Sequence, residues 1–390
     1  MTWTSVRRIA VIAAACLAAL PVRQLSSAGR SEVLVGMSAA LSGPSAQLGR
    51  SMRAGIEACF KRINDAGGVA GQRLRLVALD DSYQADPVKD NMARLIDREH
   101  VLAVVGNVGT AGAGVAVPIA NGRKVLFFGA FTGADLLRRQ PPDRYVINFR
   151  ASYAEETDVM VRGLLKRGIK PQQIAFFTQH DGYGDSGYAG AIRALQELGY
   201  ADGKSLAHGR YERGTLDVED GLLAIVQAKV RPRAIIMVGA YAACAKFILL
   251  AKQLLPGTTF LNVSFVGSEA LTRALGDRGD DVIVTQVVPH YDANLPGVAE
   301  YRHAMHQYSQ AAKPDFVSLE GYLVAKTLAE GVRRVRGDVT RESLIDAMES
   351  AGSLDIGIGI PLHFSRDQHQ GSHHVWLTVI RKQTLVPFEW

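Results

Sequence analysis

The side chains best suited to chemistry fall in short segments, most of them rich in glycine: residues 41–49, 106–112, 129–133, 179–184, 239–241 and 267–269. Thr110 opens a glycine-rich helical stretch, where a hydroxyl and a backbone N–H can both meet a carboxylate. Glu269 and the carbonyl of Ala130 can accept from an ammonium group, so the set suits a zwitterion. Each member also has a plainer explanation. Thr110 and Thr132 have the side chains of helix caps. Glu269, next to Ser268, fits the first turn of a helix whose dipole it complements, and Phe131, Tyr183 and Tyr241 fit ordinary packing. Their common placement after strand-like runs favours a site.

Motifs for covalent chemistry are missing. The chain has no G-x-S-x-G, no G-x-x-x-x-G-K-[ST] and no H-E-x-x-H, and Gly109, Gly112 and Gly114 lack the G-x-G-x-x-G spacing. His369 and His373 are spaced i, i+4, but Gln370-Gly371-Ser372 between them reads as a loop, so a solvated turn is preferred to a metal site. Asp80-Asp81 reads as turn capping. No enzymatic activity, metal or cofactor is expected.

The elements that must position these residues alternate. Residues 33–37, 74–79, 101–105, 125–128, 174–177, 234–238 and 260–266 are mostly continuous apolar runs, the pattern of strands buried in parallel sheets. Helical patterns lie between them. One starts with Asp86 as N-cap and Pro87 at its first position, and the helix before it closes at Ala66-Gly67-Gly68. The rhythm breaks near 140–153, where Gln140-Pro141-Pro142-Asp143 turns into a short strand 145–149, and again near 289–296, after a strand 282–288. Helix continues to about residue 350, and strands 358–364 and 374–380 finish the chain. The order defines an α/β protein with parallel sheets covered by helices on both faces, in two lobes joined by more than one crossing. Open sheets of this kind bind ligands at the carboxyl ends of their strands, where the segments above fall.

Composition sets the outer limits. With 390 residues, 47% hydrophobic and 21% charged, the chain is globular and long enough for two or three domains. Its net charge of +6 contains no basic block of five or more residues, which argues against nucleic acid as a partner. Arg7 and Arg8 precede an apolar run 9–20, then Pro21 and the small residues Ser26-Ser27-Ala28: an export signal over 1–28, cleaved near Ala28. Ala13-Ala14-Ala15-Cys16 faintly resembles a lipobox and leaves lipid anchoring at Cys16 as the alternative. No later run is long enough to span a bilayer, so the mature protein is expected to be soluble in the periplasm. Cys59 and Cys244 sit in apolar helical patterns and are expected as buried free thiols.

Taken together, Leu41-Ser42-Gly43-Pro44, Asp80-Asp81-Ser82-Tyr83-Gln84-Ala85-Asp86-Pro87, Val105-Gly106, Tyr183-Gly184 and Glu320-Gly321-Tyr322 resemble the periplasmic leucine/isoleucine/valine-binding proteins of ABC importers. The resemblance covers essentially the mature chain. It implies a type I periplasmic binding protein fold: two Rossmann-like lobes with parallel sheets, three crossing strands, and a cleft that closes on ligand. Lobe one would hold 31–149 plus 289–361, and lobe two 150–288 plus 362–390. By the same likeness Thr110 would bind the ligand carboxylate, and Ala130 and Thr132 would engage ammonium and carboxylate. Glu269 would pair with the ammonium, and Tyr241 would reach from lobe two to the carboxylate. Tyr183 would close on the side chain, with Val108 and Phe316 as apolar wall. Three places depart from the pattern: Leu48 stands where the relatives have tyrosine, Phe131 where they have alanine, and Ser82 and Gly109 occupy the region of their disulfide. The head-group site looks kept and the side-chain pocket altered.

The function implied is a monomeric extracytoplasmic receptor that delivers an amino acid, branched-chain or a related aliphatic or aromatic one, to a permease in the inner membrane. A ligand sensor feeding a separate signalling receptor, or a binder of a non-amino carboxylate or amide, are the alternatives.

Overall fold

The structure, a computed structural model, describes residues 32–390. The expected export signal and Cys16 lie outside the described residues. Strand β1 (Glu32–Ala39) leads through α1 (Ala46–Asp65), β2 (Arg73–Asp80), α2 (Ala85–Ala93), β3 (Ala103–Val105), α3 (Thr110–Arg123) and β4 (Leu126–Phe128) to β5 (Val146–Ile147). These strands make one parallel sheet in the order β2-β1-β3-β4-β5.

Helix α4 (Tyr153–Lys166) opens the second lobe, with Ser152 and Glu155 forming a reciprocal capping box at its start. The chain continues through β6 (Ile174–Gln179), α5 (Gly182–Glu197), β7 (His208–Tyr211), α6 (Glu219–Val226), β8 (Ala234–Val238), α7 (Tyr241–Leu254), β9 (Thr259–Asn262), α8 (Ser268–Leu275) and β10 (Ile283–Gln286). Helices α9 (Pro296–Tyr308), α10 (Phe316–Arg334) and α11 (Arg341–Glu349) return to the first lobe, where α9 and α10 pack on α1. A hairpin, β11 (Gly352–Leu354) with β12 (Leu362–Phe364), precedes β13 (Trp376–Arg381) and β14 (Thr384–Pro387), which join the second sheet antiparallel in the order β14-β13-β10-β9-β8-β6-β7. The chain thus passes between the sheets three times, at 148–152, 287–295 and 365–375.

Burial explains why these runs are strands. Every residue of β3, β4, β6 and β8 is buried, as parallel strands covered by helices on both faces must be. The α1–α10 contact depends on glycine. A Cβ on Gly321 would stand 2.3 Å from the Met52 carbonyl oxygen, and one on Gly55 would stand 1.9 Å from that of Ser318, so only hydrogen at both positions lets the two helices approach. The Glu320-Gly321-Tyr322 motif is the seam of this contact. Cys59 and Cys244 are buried and free, as read from the sequence.

Several boundaries differ from the sequence reading. The run 260–266 is a strand only to Asn262; Ser264–Val266 form a 3-10 turn, because the Ser264 N–H is drawn out of the ladder by the Glu156 carboxylate at 2.7 Å. The N-cap of α2 is Gln84, with Asp86 and Pro87 already inside its first turn. The strand expected over 358–364 is confined to Leu362–Phe364, and β7, β11 and β14 lack the continuous apolar runs by which strands were recognised.

Candidate functional site

All the singled-out loops leave the carboxyl end of a parallel strand. Thr110 is the first residue of α3 and is buried; its hydroxyl does not cap the helix but meets the Thr132 hydroxyl at 2.7 Å. Thr132 follows β4, and its Oγ1 also accepts from the Ala134 N–H at 3.3 Å. Ala130 is buried beside it, and a parallel bridge joins Val108 to Phe131, so the two loops are locked by the bonds Gly109 N–H to Phe131 O and Phe131 N–H to Asn107 O. The result is a buried pair of hydroxyls at the positive end of a helix, chemistry suited to a carboxylate.

Facing the pair is an aromatic cluster. Tyr183, at the start of α5, lies 5.1 Å from Tyr153 and 4.6 Å from Phe265 between ring centres, and its hydroxyl donates to the Gly239 carbonyl at 3.3 Å. Phe131 lies 5.0 Å from Phe265. The Arg150 guanidinium stands 4.9 Å from the Phe131 ring centre and bonds to Glu156 and Ser264 of the second lobe. Glu320, on α10 of the first lobe, is 3.6 Å away. Burial pushes the Glu320 carboxyl up to about 7 against the pull of Arg150.

The remaining residues lie toward α1 and α8. Glu269, in the first turn of α8, is half-buried and accepts from the Phe316 N–H at 3.4 Å. Burial first, and the neighbouring Asp315 carboxylate second, push its carboxyl well above the ordinary range. Asp315 caps α10 through the Ser318 N–H at 2.6 Å and accepts from the Ser51 hydroxyl at 2.6 Å. Phe316 is buried against Tyr291 and His290, with ring centres at 5.0 and 5.3 Å. Leu48, on α1, is buried against Gly267, where a Cβ would come within 2.5 Å of it. Tyr241, the first residue of α7, reaches across to the first lobe and donates its hydroxyl to the Pro44 carbonyl. The Pro44 loop is itself held by Asp80, whose carboxylate accepts from the N–H groups of Leu41 and Ser42; though partly desolvated, it is drawn down to about 2 by these bonds and those of the Ser42 hydroxyl and Ser82 N–H.

The predicted residues therefore gather around one interface in two groups. Thr110, Ala130, Thr132, Val108, Phe131 and Tyr183 form the inner group; Glu269, Phe316, Leu48 and Tyr241 form the outer one. No hydrogen bond or ring contact joins the two groups directly among the described residues. Sequence reasoning missed Tyr83, Arg150, Tyr153, Phe265 and Asp315. Phe265 was hidden by the strand reading of 260–266, whereas the Tyr83 of the Asp80–Pro87 segment was visible but carried no role.

The sequence pattern of the periplasmic binding protein family matches residues 32–384, and the chain belongs to that family. The crystal structure of a possible leucine/isoleucine/valine-binding protein from Rhodopirellula baltica SH 1 superposes with a TM-score of 0.90 at 46% identity, covering 93% of this chain and 97% of that one. Leu/Ile/Val-binding protein homolog 7 of Brucella abortus is 24% identical over 362 residues, 85% of each chain. Homolog 3 of Brucella melitensis is 28% identical over 235 residues, and that match spans 59% of the relative's length. The family places the protein outside the cytoplasm and makes it a binder of small molecules.

Proposed function

We propose that the chain is the solute receptor of an ABC importer, exported by residues 1–28, and that it holds an α-amino acid between two lobes, 31–149 plus 289–361 and 150–288 plus 362–390. The observation that carries this reading is the buried Thr110–Thr132 hydroxyl pair at the amino end of α3, with a carboxylate, Glu269, on the opposite lobe. The hydroxyls and the Thr110 N–H take the ligand carboxylate; the Ala130 carbonyl and Glu269 take its ammonium. Tyr241, whose hydroxyl proton goes to the Pro44 carbonyl across the cleft, latches the lobes, and it would give that proton to the ligand carboxylate only in exchange for the Pro44 bond. Tyr183, Val108, Phe131, Leu48 and Phe316 wall the side chain. The names of the relatives support an amino-acid ligand.

A thermal-shift screen of the mature protein against the amino acids tests this. A ligand that binds only the folded state at a hundred times its dissociation constant adds about 2.7 kcal/mol of stability, so at least one amino acid should raise the melting temperature by several degrees. A screen in which none does, while simple carboxylates or amides do, overturns the reading.

A further inference from the structure

Three cations that form no ion pair among the described residues converge on one cleft at the lobe interface. The cleft, of about 640 Å³, is lined from the first lobe by Arg50, Lys313 and Asp315, from the second by Glu269 and Arg273, and from the second crossing by Tyr291. A volume of that size lies within the range of small-molecule sites. Arg50 donates its Nε–H to the Leu41 carbonyl at 2.9 Å, whereas Arg273 and Lys313 make no hydrogen bond among the described residues. Burial raises the Tyr241 hydroxyl, and Arg273 and Arg50, one on each lobe, both pull it back, so the two guanidinium groups lie near the same atom.

Charges of one sign on facing lobes repel, and an anion placed between them removes that repulsion and draws the lobes together. The two carboxylates of the cleft do not supply this anion. Asp315 is engaged with Ser51 and Ser318, and Glu269 accepts from backbone N–H groups, its own and that of Phe316. Burial raises both carboxyls, which reduces their negative charge and leaves three cations in excess over them. Resting on the amino-acid reading above for the ammonium at Glu269, we propose that this cleft is a subsite for an anionic ligand side chain, with Arg273 and Lys313 as its partners, and that the substrate class is acidic α-amino acids. Glu269 and Arg273 are spaced i, i+4 on α8 and share a helix face, so an ammonium at one leaves a side-chain carboxylate beside the other. Lys313, from the opposite lobe, closes on the same carboxylate.

Calorimetric titration of the mature protein with aspartate, glutamate, glutamine and leucine, repeated on Arg273→Gln, Lys313→Gln and the double variant, tests this. Both side chains are exposed, so the variants should keep the wild-type circular dichroism. The better of the two acidic amino acids should bind the wild type at least about fivefold more tightly than glutamine or leucine does, and added salt should shrink that preference. The double variant should lose at least about fivefold of it through weaker binding of the acidic ligand; should that variant not fold, each single one should lose at least about twofold. A smaller wild-type preference, or one that survives in the folded variants, overturns the inference and leaves the amino-acid reading standing. A wild type that binds no amino acid overturns both.

Discussion

Two carboxylates at the interface, the half-buried Glu269 and the buried Glu320, are distinguished by their titration. Glu269 forms no ion pair among the described residues; its carboxyl is raised by burial and by Asp315, against a smaller pull from Arg273 on the same helix. An arriving ammonium favours its ionised form, so amino-acid affinity should weaken as pH falls, and Glu269→Gln should abolish that dependence. Loss of one charge-assisted hydrogen bond, about 1.5–3 kcal/mol, sets the cost of Glu269→Gln at roughly ten- to a hundredfold in affinity. An affinity within about twofold of wild type in calorimetry speaks against the assigned role. Glu320 acts on stability instead. Its folded value of about 7 lies above the 4.5 of an ordinary glutamate, so its contribution is fully present below about pH 4.5 and is lost as pH rises through 7. The loss is on the order of 3 kcal/mol. The melting temperature of the wild type should fall between about pH 4.5 and 7, and Glu320→Gln should flatten that slope, although Arg150 loses a carboxylate at every pH. A variant with the wild-type slope would show that other groups cause it.

At the level of elements, the site depends on how closely α1 and α10 approach, because α1 carries Leu48 and α10 begins with Phe316. Gly321→Ala places a methyl against the Met52 carbonyl, where a Cβ would stand at 2.3 Å, and the helices must separate. Overpacking of this kind costs about 1–3 kcal/mol. Chemical denaturation should show that loss, and unchanged stability would mean the seam can yield freely. The elements most legible in the sequence are those whose signals are local: the apolar runs of β3, β4 and β8, and the glycines that end α1. What stayed hidden depends on partners far along the chain. The 3-10 turn that presents Phe265 exists because Glu156, 108 residues away, captures the Ser264 N–H. Arg150 follows an apolar stretch with nothing to announce that Glu156, Ser264 and Glu320 will surround it. The same holds for the site: residue types and strand-end placement marked Thr110 and Glu269, but no sequence period shows which rings pack against which.

For the whole molecule, three passages of chain between the lobes leave a hinge, and Arg150, on the first of them, contacts Glu156 of one lobe and Glu320 of the other. Closure is then governed by contacts made only when the lobes meet, such as Tyr241 to Pro44 and Gln179 to Tyr83 at 3.4 Å. A ligand shifts the balance between open and closed forms only as far as it binds the closed form better, and on the proposed reading an amino acid would do so by touching Thr110 on one lobe and Glu269 on the other. A deaminated acid has only the first contact. Small-angle scattering of the mature protein, with a saturating amino acid identified by thermal shift and with its deaminated counterpart at the same concentration, reads this difference directly. The radius of gyration should fall with the amino acid and stay near its free value with the acid. An unchanged radius with the amino acid, or an equal fall with both, would contradict recognition of a zwitterion across a closing cleft.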